Sequence, residues 1–363
     1  MSGPVDLDLV KAMLTQRIDA LVQQLYPAAV RDGRHWRLGS VAGEPGQSLA
    51  IAASGNGQGL WKDFSADVGG GPLDLIAHAQ FNGRVDAEVV RWAVEWCGLG
   101  RMSGEDQARA AARAADSMEK QAQQRAADTA KRIRQARAIW LHGRDMAGTP
   151  VDHYLQGRAI DCGAAGHWPR ALRFDAEVYN SETRTAGPAM LAYVYGAEAQ
   201  GQTAVHRTWL RRDDAGRWRK DWTLREAKKT LGPFGGGYIP IWRGAVSGPL
   251  HALPAGTWIA TAEGIENALS VAVARPHLRV IAHISLTNLS ALDLPDCIAG
   301  LYVAADNDKP GSPAAAAFEQ QLARLNERGI AHEIVRAPDG HKDMNDWLQA
   351  LRRAEPSQEG MAS

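Results

Sequence analysis

Between residues 6 and 28, Leu7, Val10, Leu14, Ile18, Leu21 and Leu25 recur at spacings of 3, 4, 4, 3 and 4, which draws one apolar stripe along a helix. Beyond it, short apolar runs at 36–41, 48–53 and 59–64 are separated by glycines. Gly69, Gly70 and Gly71 then lead into two helix-like stretches that reach Cys97. This pattern predicts a small β-rich module closed by helices. Residues 105–138 change character, with Met118 and Ile133 the only large apolar side chains among alanine, glutamine and charged residues. Such a segment has helix propensity without an apolar stripe and reads as a solvated helical connector. From 140 to about 243, strand-like runs at 189–195, 204–210 and 238–242 predict a mixed α+β domain with a glycine-rich exit at Gly235, Gly236 and Gly237.

The last hundred residues alternate more regularly. Apolar strands are predicted at 258–262, 279–284, 301–305 and 332–335, with helix-like segments at 264–274, 287–292 and 313–329 between them. Strands alternating with helices imply a parallel sheet flanked by helices, and such sheets bind ligands at the carboxyl ends of their strands. The acidic residues fall at those ends: Glu263 follows the first strand, Asp306 and Asp308 the third, and Asp343 and Asp346 the last. Crowded carboxylates repel one another, whereas hard oxygen ligands are what Mg²⁺ requires. By the same patterns the chain divides into a module over 1–100, a connector over 101–139, an α+β core over 140–250 and an α/β domain over 251–354; the tail 355–363 reads as frayed.

Charge sharpens this picture. Of the 363 residues, 41 are basic and 41 acidic, yet the balance is regional. Residues 206–229 hold nine Lys/Arg against four Asp/Glu, net +5, while 257–350 hold seven against twelve, net −5. A basic segment beside an acidic domain suits a polyanion that must meet metal ions. The start lacks the basic and apolar regions of a secretory signal, and no long apolar run follows, so a cytoplasmic location away from membranes is expected. Cys97, Cys162 and Cys297 lie far apart and read as small buried hydrophobes. A Gly-Lys dipeptide is absent, which excludes a Walker A motor.

Three motifs now stand out: Ala262-Glu263-Gly264-Ile265-Glu266-Asn267-Ala268-Leu269, Ala304-Ala305-Asp306-Asn307-Asp308-Lys309-Pro310-Gly311, and His341-Lys342-Asp343-Met344-Asn345-Asp346-Trp347-Leu348. In order and placement they resemble the signatures of the Toprim domain, shared by DnaG-type primases, topoisomerases and some nucleases. The resemblance implies that Glu263 acts as general acid/base or metal ligand and that Asp306, Asp308 and Asp343 hold Mg²⁺ or Mn²⁺. Glu266, one turn further into the helix, reads as an ordinary surface carboxylate.

Upstream, Val205-His206-Arg207-Thr208-Trp209-Leu210, then Lys228-Lys229-Thr230-Leu231-Gly232, then Gly237-Tyr238-Ile239-Pro240-Ile241-Trp242 resemble the core of primases of phage, plasmid and integrative-element origin. Gly232 stands where those primases often carry asparagine. Arg207, Arg211, Lys228 and Lys229, with Arg212, are candidates to neutralise template or triphosphate charge, and Trp209, Trp218 and Trp222 to stack bases. The first hundred residues resemble the primase zinc ribbon in degenerate form. No cysteine lies between Met1 and Trp96, so no zinc is expected there; Trp36, Trp61 and Phe64 are expected to fill the space, and Arg34, Arg37 and Lys62 to touch single strands.

The resemblance implies a primase: Mg²⁺-dependent synthesis of short RNA primers from ribonucleoside triphosphates on single-stranded DNA. It would serve replication of a phage or mobile element, beside a separate replicative helicase. The alternatives are a metal-dependent nuclease and a non-catalytic single-strand-binding accessory protein.

Overall fold

A computed structural model describes residues 6–354 apart from 56, 165, 167 and 197–200; the tail expected to fray lies outside the described residues. The chain forms two compact units, Met1–Asp128 and Thr129–Ser363.

In the first unit, α1 (Leu7–Gln16) is capped by Asp6, whose carboxylate accepts from the amides of Asp8 and Leu9, and α2 (Ile18–Leu25) follows at once. The single helix predicted over 6–28 is thus two, broken at Arg17, whose φ of −105° and ψ of 26° leave the helical region. Leu14, Ile18 and Leu21 nevertheless stay fully buried, so the apolar period correctly located the inward face. Five short strands form an antiparallel meander in chain order: β1 (Val30–Asp32), β2 (His35–Leu38), β3 (Leu49–Ala52), β4 (Trp61–Asp63) and β5 (Val68–Gly70). Helices α3 (Pro72–Gln80) and α4 (Ala87–Cys97) complete the unit's core with Leu75, Ile76 and Val89.

Trp36 and Trp61 fill that core as expected, but Phe64 is 67% exposed. Alternation along β4 explains the difference, since Trp61 and Asp63 face inward. Burial alone would raise the Asp63 carboxyl, yet hydrogen bonds from Ser65, Ala66 and Val41 outweigh it and hold the group below the usual carboxylate range.

Helix α5 (Gly104–His142) carries the chain across the boundary, largely exposed, as its composition predicts. The second unit then builds α6 (Pro150–Gln156) and an antiparallel sheet of β6 (Leu172–Asn180), β7 (Thr185–Gly196), β8 (Gly201–Arg212), β9 (Trp218–Lys220) and β10 (Lys228–Leu231). Its order is β10-β8-β7-β6, with β9 also pairing β8. Gly232 ends β10 at φ +102°, where an added Cβ would lie 2.3 Å from the Thr203 carbonyl oxygen, so no asparagine fits this backbone path.

The last sheet comprises β11 (Ile239–Trp242), β12 (Thr257–Ala262), β13 (Val280–Ala282), β14 (Ile298–Ala305) and β15 (Ala331–Arg336), in the order β11-β13-β12-β14-β15. Strands β12 to β15 are parallel, and α7 (Ile265–Ala274), α8 (Leu286–Leu289), α9 (Pro313–Glu327) and α10 (Met344–Ala354) accompany them. The fold is therefore mixed, an antiparallel α+β part followed by a mostly parallel α/β part. Strand 238–242 was expected in the former, but β11 joins the latter as its antiparallel edge. Trp242 Nε1 donates to the Pro276 carbonyl at 2.9 Å, and paired backbone bonds between Tyr195 and Tyr238 tie β11 back to β7. One apolar cluster runs through both parts, joining Met190, Ala192 and Leu210 to Ala260, Ala262 and Leu269. Among the described residues, no helix is long and apolar enough to cross a membrane.

Candidate active site at the strand ends

Parallel pairing sets Ala262 of β12 beside Ala304 of β14, and Ala304 beside Val335 of β15. The residues that follow these strands therefore emerge along one edge, around a cleft of about 740 Å³ lined by Glu263, Asp306, Asp308, His283, Arg336 and His341, among others. The Asp306–Asp308 loop is pinned rather than free. The Asn307 amide donates to the Lys342 carbonyl at 2.7 Å, its side chain donates to the carbonyls of Ala337 and His341, and Arg336 bonds the Asp306 carbonyl. Asp343 lies at the start of α10, where its Oδ1 accepts from the Asp346 amide at 2.8 Å. Asp346 in turn accepts from the Lys342 amide and meets His341 at 3.4 Å, and these bonds hold its carboxyl low.

Negative charge accumulates on this edge. Burial first, then the charges of Asp343 and Asp308, push the Asp306 carboxyl up against the pull of Lys342 and a 3.0 Å bond from Asn267 Nδ2. Glu263 reaches solvent, yet loss of hydration and the charges of Asp306 and Asp308 raise its carboxyl too, while Lys228 pulls it down. The four carboxylates expected to act together are thus electrostatically linked, with Asp343 set back as a helix cap. Among the described residues no three His, Cys, Asp or Glu side chains stand arranged as a ready cage for a metal. The donor set still fits a hard cation, because Mg²⁺ commonly takes one or two carboxylates, keeps waters and completes its shell with phosphate oxygens.

Residues 258–353 match the Toprim domain model, and 130–241 match a domain of unknown function (DUF7146). The final α/β part is a Toprim domain. No curated protein matches the chain in sequence. Among solved structures, the primase fragment of the bacteriophage T7 primase-helicase protein is 16% identical, with 56% of this chain and 73% of that chain covered at a TM-score of 0.31. A DNA primase domain from Pseudomonas aeruginosa is 14% identical, with 62% and 75% covered at a TM-score of 0.39.

The Toprim domain corrects the reading of Glu266. It is 4% exposed, not a surface carboxylate. Its Oε1 accepts from the Tyr154 hydroxyl at 2.7 Å and meets Lys220 Nζ at 3.0 Å, while Lys228 Nζ stands 3.1 Å from Oε2. Burial would raise this carboxyl; the two ammonium groups and the phenol overcome that and hold it far below the usual range. The register explains the convergence. Lys228 lies opposite Thr208 and Lys220 opposite Leu210, so both project from the same face of the antiparallel sheet towards α7.

The other predicted basic residues go elsewhere. Lys229 pairs in register with Arg207 on the opposite face and meets Glu182 at 3.5 Å. Arg207 lies over the Trp209 ring and Arg211 over that of Trp222. Trp209 is core, donating to the Val178 carbonyl at 3.0 Å, and Trp222 is 56% exposed.

Sequence reasoning missed three asparagines. Asn267 orients Asp306, and the wholly buried Asn345 donates its amide to Asn267 Oδ1 at 3.2 Å and its side chain to Ser270 Oγ and the Arg158 carbonyl. With Asn307, each acidic motif carries one. That recurrence was the available signal. Beside them, Ile284 holds φ +73°, a left-handed conformation costing a β-branched residue about 1–3 kcal/mol, and its amide donates to the Glu263 carbonyl at 3.1 Å.

Proposed function

We propose that this chain is a primase-type nucleotidyltransferase that makes short RNA primers on single-stranded DNA. The observation that carries this reading is the gathering of Glu263, Asp306 and Asp308 around one cleft at the strand ends of the Toprim domain, with Lys228 brought to the same α7 end by the antiparallel sheet.

Asp306 and Asp308, with Asp343 behind them, would hold Mg²⁺ or Mn²⁺, which would supply neutralisation of triphosphate charge and a lowered pKa for the attacking hydroxyl. Glu263, whose carboxyl takes a proton more readily than an ordinary glutamate, receives the proton of the growing 3′-hydroxyl at its Oε atoms. Asn267 and Asn307 keep Asp306 and its loop in place while the substrate enters. Lys228 sets positive charge beside the acidic edge. Arg207, Arg211 and Lys229 supply charge for the polynucleotide on the far face of the sheet. A separate replicative helicase, in a phage or mobile-element replication system, would present the single strand.

The test is incubation of the full chain with single-stranded DNA, labelled ribonucleotides and Mg²⁺ or Mn²⁺, beside Asp306→Ala and Glu263→Gln. Short labelled products missing from both variants support the reading. Shortening of the DNA instead makes the same carboxylates those of a nuclease, and an unaltered strand with binding retained in both variants leaves an accessory protein.

A further inference from the structure

The second unit contains another cleft, of about 570 Å³, that shares no lining residue with the strand-end site. It lies at the β11 edge of the Toprim sheet, between the ends of β7, the 168–171 segment and the start of β13. Its walls are aromatic and cationic. Trp168 is half-buried, and the Tyr195 and Tyr238 rings stand 5.3 Å apart at 40°. Arg170 and Arg243 are exposed at the rim.

Arg279 is buried. Its guanidinium donates to the Gly248 carbonyl at 2.9 Å and the Val246 carbonyl at 2.7 Å, which fixes the loop forming one lip. Those partners are neutral, and among the described residues lining the cleft none is acidic. The Arg279 charge is therefore held in low-dielectric surroundings facing a second guanidinium, and burial together with Arg243 lowers its affinity for its proton. A site lined by three arginines and six aromatic residues, with no acidic residue among its described lining, is complementary to a flat ligand carrying negative charge. The volume lies within the range of small-ligand sites.

We infer that this cleft binds a nucleotide unit, its base against Trp168 and the Tyr195–Tyr238 pair and its phosphate at Arg170, Arg243 and Arg279. The unit is either a free nucleoside triphosphate or one residue of a single strand. The inference stands on the lining alone and does not require the strand-end site to be active.

The experiment measures binding by the full chain in EDTA, which removes divalent cations from the acidic site. Two probes are used: a fluorescein-labelled oligothymidylate followed by anisotropy, and ATP added as competitor and followed by calorimetry. Trp168→Ala and the double variant Arg170→Glu/Arg243→Glu should each weaken binding about tenfold or more. Arg109→Glu, on the exposed face of α5, should leave it unchanged. Both rim arginines are solvent-exposed, so the double variant retains its fold, checked by circular dichroism. Binding of ATP with displacement of the oligonucleotide supports the inference with a mononucleotide as sufficient ligand; oligonucleotide binding alone supports it with the strand as source. Binding of neither probe overturns it. So does wild-type affinity in both cleft variants, or an equal loss in Arg109→Glu, which would mark bulk charge rather than this cleft.

Discussion

Glu263 and Glu266 are three residues apart at one end of α7, and the protein treats them in opposite ways. Glu266 is enclosed with two ammonium groups and a phenol within 3.1 Å, so its negative charge is matched and its carboxyl is held low. Glu263 stands among carboxylates, is only partly offset by Lys228, and its carboxyl is held high. One charge is structural, joining α7 to the antiparallel sheet; the other is not matched by the charges around it. Burial alone does not distinguish the two roles, because loss of hydration acts on both carboxyls. The sign of the surrounding charge does.

The largest effect is expected at the matched carboxylate. Glu266→Ala leaves Lys220 and Lys228 without their counter-charge and should cost about 3–5 kcal/mol in a denaturant titration. A loss below about 1 kcal/mol would mean the cluster is no better than a surface pair. A neighbouring group probes the same enclosure through pH. His206, on the face that carries Lys228, is 7% exposed and bonded through Nδ1 to Thr230 Oγ1 at 2.9 Å. Burial, then the Lys228 charge, pulls its pKa down to about 4 from 6.5. The unfolded chain therefore takes up this proton before the folded one, and stability falls as pH drops from 6.5 through 4. His206→Gln should flatten that acid limb by up to about 3 kcal/mol in melting curves recorded across the window.

On the unmatched side the signs reverse. Asp306→Asn removes a charge that Asp343 and Asp308 oppose, so it should raise the melting temperature in metal-free buffer while lowering primer synthesis about 100-fold or more. A fall in both would make Asp306 a structural residue. The smallest effect is expected where charge is merely exposed. Lys120 meets Asp116 at 2.8 Å on α5 with both side chains largely in solvent, and Lys120→Ala should leave the melting temperature unmoved.

The sequence was informative where period and partner agree. The parallel strands appeared within a few residues of their predicted places, β12, β13 and β14 because each carries a short apolar run bounded by turns, and the acidic residues then fell at the strand ends. Burial of Glu266 was not legible, since its partners come from Tyr154, Lys220 and Lys228, far away along the chain. Likewise Lys228 and Lys229 look alike as neighbours, and only the pairing of β10 with β8 sends them to opposite faces. Phe64 was misplaced for a related reason, as Asp63 takes the inward position through bonds to the loop that follows. The strand at 238–242 was found but assigned to the wrong sheet, because its pairing with β13 depends on contacts forty residues on.

The reading proposed for the strand-end carboxylates is that they await a divalent cation. Titration of Mn²⁺ into the wild-type chain and Asp306→Asn, with free ion read by electron paramagnetic resonance, tests it without requiring catalysis. Saturable uptake by the wild type, lost or greatly weakened in the variant, is expected. No saturable uptake by the wild type, or equal uptake by both chains, would contradict it.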